Sequence, residues 1–70
     1  MQISTRNLFK GTVKSVQVGM VNAEIILEVA PGIEITAIIS KHSAERLGIA
    51  VGKEAYAAIK ASDVVIAVDE

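Results

Sequence analysis

Apolar and polar residues alternate along much of the chain, as they do in strands that bury one face. In the clearest segment, residues 20–29, every second side chain from Val21 onward is apolar, and the intervening positions include Asn22, Glu24 and Glu28. The same alternation, together with short apolar segments, predicts five strands, at residues 3–18, 20–29, 33–39, 54–59 and 64–68.

A short helix is predicted between the third and fourth strands. Ser40 is a favourable N-cap, and Gly48 suits the position just after the last helical turn. The resulting order of three strands, one helix and two strands is that of the five-stranded OB-like β-barrel. Because closure of a sheet protects its edges, we expect an all-β fold with one short helix, in a single domain of residues 1–70.

The composition narrows the possible classes of function. The chain has no cysteine, which excludes disulfides, zinc ribbons and thiol catalysis, and its one histidine, His42, cannot form a histidine-rich metal site. No segment is apolar over a membrane-spanning length and no N-terminal signal is recognisable, so we expect a cytoplasmic protein. The net charge of −1 gives no reason to expect a nucleic-acid partner.

Apolar residues also occur where the strand pattern predicts a solvent-facing surface. Ile26 and Ile38 fall on faces that are otherwise polar, and a domain of this size buries only about 60% of its unfolded surface. Exposed apolar patches usually mark interfaces, so we expect self-association. Scattered apolar surface residues are the ordinary alternative.

The sequence does not predict an enzyme. His42 is adjacent to Ser43, but the local pattern offers no acid to orient the imidazole. Residues 48–54 resemble a phosphate-binding loop in outline, yet one residue is missing between the glycines and Glu54 replaces the hydroxyl residue that binds a metal.

Two short clusters are rich in hydrogen-bond donors and contain no carboxylate. Ser4 and Arg6 would point the same way from an extended segment, and Lys60 and Ser62 have the same spacing around Ala61. If the fold brings the clusters together, they form a pocket for a small oxyanion, held by charge-assisted hydrogen bonds. The alternative is that Arg6 and Lys60 are ordinary solvated charges.

These clusters belong to a longer resemblance. Ser4-Thr5-Arg6-Asn7, followed by Lys10-Gly11, is similar to the Ser-Ala-Arg-Asn…Lys-Gly opening of the molybdate-binding (Mop, or molbindin) family of TOBE-type domains. Residues 21–25, 37–40 and 58–64 continue the match in order, so the resemblance covers essentially the whole chain.

The resemblance implies an OB-like barrel that binds molybdate or tungstate and serves as an intracellular store or buffer. It also implies a homohexamer, a trimer of dimers, with oxyanion sites between subunits. The implied site residues are Ser4, Thr5, Arg6, Asn7, Ser40, Lys60, Ala61 through its backbone N–H, and Ser62, with residues 60–62 supplied by a neighbouring subunit. Thr5 departs from the usual alanine, and Ala61 stands where a hydroxyl residue is common.

Two other functions remain open at this point. One is a single-stranded nucleic-acid-binding module of the same fold, although such modules use stacking aromatics and a basic groove, and this chain has two aromatic residues. The other is an oligomerisation module with an empty pocket.

Overall fold

A computed structural model describes residues 1–69 of the chain. Glu70, the last residue of the predicted domain, lies outside the described residues. Four strands form one antiparallel sheet in the order β3-β2-β1-β4. The elements are β1 (Asn7–Val18), β2 (Asn22–Ala30), β3 (Ile33–Ser40), α1 (Lys41–Leu47), β4 (Glu54–Ile59) and a 3₁₀ turn (Ala61–Asp63). The prediction of a mostly β fold with one short helix between the third and fourth strands is confirmed.

Strand β1 changes partner along its length, which curls the sheet into half a barrel. Its first half pairs with β4 and its second half with β2, and Thr12 is paired on both sides, with Glu54 and with Glu28. A β-bulge between Val13 and Ser15 follows directly. Bulges bend a strand and increase its twist, so the curl is built into the middle of β1.

Gly11 permits a close approach of β2 at this bend. A Cβ atom at this position would collide with the backbone carbonyl of Glu28 and press on the side chain of Leu27. Glycine is the one residue without a Cβ, and the bend of β1 therefore depends on it.

The core lies on the concave face of the sheet, where the alternation predicted it. Ala23, Ile25 and Leu27 of β2 are buried together with Val13 of β1 and Ala44 of α1. Alternate residues of β3 and β4 are half-buried against this cluster. The alternation predicted from the sequence is confirmed within these strands, whereas Val21 before β2 and Ile33 at the start of β3 are exposed.

Helix α1 is capped at both ends by the residues predicted for that role. The Ser43 backbone N–H donates to Ser40 Oγ at 3.0 Å, which satisfies one donor of the first turn. Gly48 adopts a left-handed conformation with φ of 64°, and its N–H bonds back to the helix. Within residues 1–69, no helix is of a length and apolarity that would cross a membrane.

The predicted fifth strand is not confirmed. Residues 64–69 follow the 3₁₀ turn without joining a ladder, and the apolar side chains of Val65, Ile66 and Val68 are 89%, 82% and 83% exposed. A strand exists only through hydrogen bonds to a neighbour, and within the described part of this single chain neither edge strand, β3 or β4, pairs with this segment. The barrel is accordingly open.

Candidate functional site

The pairing of β1 with β4 brings the two donor-rich clusters together. Asn7, the first residue of β1, is opposite Ile59, the last residue of β4. The residues before Asn7 and after Ile59 therefore leave the sheet side by side. They line one solvent-open cavity of about 440 Å³, formed by Ser4, Thr5, Arg6, Lys60, Ala61 and Ser62.

Two hydrogen bonds join the two sides of this cavity and a third supports them within residues 5–7; we call the three together the Ile59 clamp. Thr5 Oγ1 donates to the carbonyl oxygen of Ile59 at 2.6 Å, and Asn7 Nδ2 donates to the same oxygen at 3.1 Å. The Asn7 backbone N–H donates to Thr5 Oγ1 at 3.2 Å. A hydroxyl has a single proton to donate, so Thr5 uses its proton within the protein.

The charges that line the cavity are all positive. In residues 1–69, the ion pairs join Lys10 to Glu54 and Lys14 to Glu28, and neither includes Arg6 or Lys60. None of the described lining residues carries a carboxylate. Two cations that share a cavity repel each other, and an anion between them relieves that repulsion.

The cavity offers donors of three kinds. Arg6 and Lys60 supply charged N–H groups, and Ser4 and Ser62 supply hydroxyls. The Ala61 backbone N–H opens the 3₁₀ turn, where N–H groups have no partner within the helix. An acceptor-only ligand with several oxygens fits such a set, since charge-assisted hydrogen bonds to oxyanions are short and strong.

Ser40 and Asn7 are the two predicted site residues that do not line this cavity. Ser40 caps α1, where its hydroxyl also bonds Ser43 Oγ at 2.8 Å, and Asn7 acts in the Ile59 clamp. The resemblance assigned residues 60–62 to a neighbouring subunit, whereas the structure places them beside residues 4–6 of the same chain. Sequence reasoning missed Ile59, because its contribution is a backbone carbonyl that no residue type marks.

Two other surface cavities have a different chemical character. One, of about 400 Å³ at the β1–β2 hairpin, includes Glu24 among its lining residues, and another, of about 300 Å³, includes Glu28 and Glu54. Carboxylates repel an anion, so the cavity beside the Ile59 clamp is the better oxyanion site. Within residues 1–69, no group of three or more His, Cys, Asp or Glu side chains is placed to hold a metal ion.

Comparisons with known proteins show the family to which the chain belongs. A family model described as "TOBE domain" matches residues 3–66. The chain is 50% identical over 66 residues to molybdenum-pterin-binding protein 3 of Clostridium pasteurianum, a match that covers 94% of this chain and 97% of the relative.

Two solved structures have the same fold as this chain. The chain is similar to MopII from Clostridium pasteurianum, with a TM-score of 0.90 and 46% identity over 96% of this chain and 100% of that one. It is also similar to ModG, described as a cytoplasmic molybdate-binding protein and solved with molybdate bound, with a TM-score of 0.88 and 43% identity. That match covers 93% of this chain and 46% of ModG. The chain therefore belongs to the TOBE domain family, and its close homologues there are the molybdenum-pterin-binding proteins.

Proposed function

We propose that the chain binds molybdate or tungstate in the cavity between residues 4–6 and residues 60–62. The observation that carries this proposal is that Arg6 and Lys60 line one cavity with two serine hydroxyls and no carboxylate among the described residues. The relatives support the identity of the anion, since MopII and ModG bear the same fold and ModG was solved with molybdate.

The chemistry of the donors supports molybdate and tungstate over phosphate. Both are tetrahedral dianions that carry no proton at neutral pH, so all of their oxygens accept hydrogen bonds. Hydrogen phosphate carries a proton that would face other donors, and in a site closed between copies of the chain an unsatisfied buried donor costs about 1–3 kcal/mol. Sulfate has the same charge and shape but is smaller, so its rejection depends on the size of the pocket.

We infer that the role is intracellular storage or buffering of the oxyanion. The cavity offers charge and hydrogen bonds, which suit reversible holding of an ion. His42, the residue type most often used for acid–base chemistry, lies on α1 and is not among the residues that line the cavity. The description of ModG as cytoplasmic supports an intracellular location.

The site is completed, in our proposal, between copies of the chain in a homohexamer. The exposed apolar residues 64–68 and the open barrel support assembly. The barrel opening is a small apolar groove of about 130 Å³ between β3, α1 and β4, with Ile35, Leu47 and Ala57 among its walls. We propose that residues 64–68 of one copy pair with an open sheet edge of another copy. This pairing would satisfy the backbone groups of the edge strand and cover the exposed apolar side chains of the segment. Ser40, which lies outside the cavity in one chain, would then be supplied by another copy.

Titration calorimetry with molybdate, tungstate, sulfate and phosphate at one ionic strength tests the proposed function. We expect heat of binding for molybdate and tungstate and much weaker binding of the other two anions. Equal binding of all four would show an unselective basic patch, and absence of binding by molybdate and tungstate would overturn the proposal. Fluorescence anisotropy with a labelled single-stranded oligonucleotide checks the alternative of a nucleic-acid module.

The positions of the two aromatic residues argue against that alternative. Phe9 is opposite Ala57, and Tyr56 is opposite Lys10. Consecutive positions of a strand face opposite sides of the sheet, so Phe9 and Tyr56 lie on different faces. They cannot form one stacking platform for successive bases.

A further inference from the structure

The hydrogen bonds of the side chains are concentrated at the proposed anion cavity. Three of the five side-chain hydrogen bonds found in residues 1–69 form the Ile59 clamp, and the other two lie at the N-cap of α1. The clamp joins residues 54 and 52 positions apart in sequence, whereas the N-cap bonds span three. Among the side-chain hydrogen bonds of the described chain, those to Ile59 are therefore the long-range ones.

The clamp holds a segment that has no other regular support. Residues 1–6 precede β1 and join no strand ladder. Thr5 and Asn7 lie on either side of Arg6, and both are bonded to the carbonyl of Ile59, which directly precedes Lys60. The backbone that carries Arg6 is thus fixed against the backbone that carries Lys60.

We propose that Thr5 and Asn7 are positioning residues that set the width of the cavity and thereby its selectivity against sulfate; this inference rests on the proposed function. Molybdate and sulfate have the same charge and the same tetrahedral shape, so size is the property that a donor-lined pocket can use to distinguish them. A pocket with a mobile wall can contract around the smaller ion, whereas a pre-organised wall cannot. Because the clamp ties residues 4–6 to residue 59, it opposes that contraction.

The Thr5 hydroxyl acts in this role without donating a hydrogen bond to the anion. Its proton is donated to Ile59, and its oxygen accepts from the Asn7 N–H.

A set of matched threonine variants tests the inference. Thr5→Val keeps the β-branched shape but removes the hydroxyl, Thr5→Ser keeps the hydroxyl, and Thr36→Val makes the same change at an exposed position of β3. The dissociation constants of tungstate and sulfate are measured for each variant by calorimetry. The unfolding temperature without any anion shows whether each variant is folded.

We expect Thr5→Val to weaken tungstate binding by about tenfold, the scale of one or two lost hydrogen bonds, and to leave sulfate binding within about twofold of the wild type, so that selectivity falls. We expect Thr5→Ser and Thr36→Val to keep the wild-type ratio of the two constants. A general loss of stability would weaken the binding of both anions and would not selectively lower the preference for tungstate. If Thr5→Val does not fold, Asn7→Leu removes the second donor to Ile59 and is measured in the same way.

The outcomes separate this inference from the proposed function. Wild-type protein that binds tungstate selectively, with Thr5→Val unchanged in both constants, overturns the positioning role alone. Equal weakening of tungstate and sulfate in Thr5→Val also overturns it, because the clamp would then support the site without setting its width. Wild-type protein that binds neither molybdate nor tungstate overturns the proposed function and this inference together.

Discussion

Arg6 and Lys60 line the same cavity, and neither forms an ion pair with another residue in the range 1–69. We predict that Arg6→Ala or Lys60→Ala weakens molybdate binding by about 1.5–3 kcal/mol, the scale of hydrogen bonds to charged groups. Isothermal titration calorimetry measures this loss directly.

Two exposed cations outside the cavity provide the controls. Arg46 lies in the last turn of α1 and Lys53 in the loop before β4. Arg46→Ala and Lys53→Ala remove the same charges, so they change the long-range field by the same amount without touching the cavity. We expect both controls to bind molybdate with nearly wild-type affinity. A similar loss in all four variants would show that net charge, and not the cavity, attracts the anion.

Gly11 provides a test of the fold that is independent of any ligand. A Cβ at this position would meet the Glu28 carbonyl, which belongs to the backbone and cannot rotate away. We predict that Gly11→Ala lowers the free energy of unfolding by about 1–3 kcal/mol, the usual cost of overpacking. Urea denaturation followed by circular dichroism measures the change.

Gly19→Ala is the matched control for this substitution. Its Cβ would lie 3.2 Å from the carbonyl oxygen of Asn22 in the β1–β2 turn, a contact that a small shift relieves. We expect a clearly smaller loss of stability than for Gly11→Ala. Equal losses in the two variants would mean that the close approach at Gly11 is not what fixes the bend of β1.

Most of the fold could be predicted from local sequence because its signals are local. The alternation in residues 54–59 gave the bounds of β4 as the structure has them, and Ser40 and Gly48 marked both ends of α1. Residues 64–68 show where this approach fails. Their apolar character is that of a strand, but a strand also needs a partner, and local sequence carries no information about whether a partner lies in the same chain.

The donor residues that line the candidate site could be selected from the sequence, but their arrangement could not be predicted. The donors at Ser4, Arg6 and Lys60 were recognised from spacing and from resemblance, but their proximity follows from the register of Asn7 against Ile59, which is a long-range property of the sheet. The resemblance implied Thr5 as a site residue, but the bond from its hydroxyl to the opposite strand was not predicted. Its bond to Ile59 depends on a backbone carbonyl, a group that every residue has.

Substitutions of Ser40 can separate its role as a helix cap from its proposed role as a ligand. We predict that Ser40→Ala lowers the free energy of unfolding by about 0.5–2 kcal/mol, because the Ser43 N–H loses its acceptor. Ser40→Asp keeps a capping oxygen and should retain stability in thermal unfolding without anion. If another copy supplies Ser40 to the cavity, the same aspartate repels molybdate and weakens its binding. Unchanged binding in Ser40→Asp would remove Ser40 from the site.

Ile66 tests the proposed assembly through residues 64–68. The Ile66 side chain is 82% exposed in the single chain, so it contributes almost no hydrophobic stabilisation there. We predict that the wild-type protein sediments as a hexamer and that Ile66→Asp produces smaller species, because a buried unpaired carboxylate opposes association. Val51→Asp places the same charge at another exposed apolar position, in the loop before β4, and should leave the assembly intact. A wild-type protein that sediments as a monomer would contradict the shared site, and Ile66→Asp that remains hexameric would show that a different surface holds the copies together.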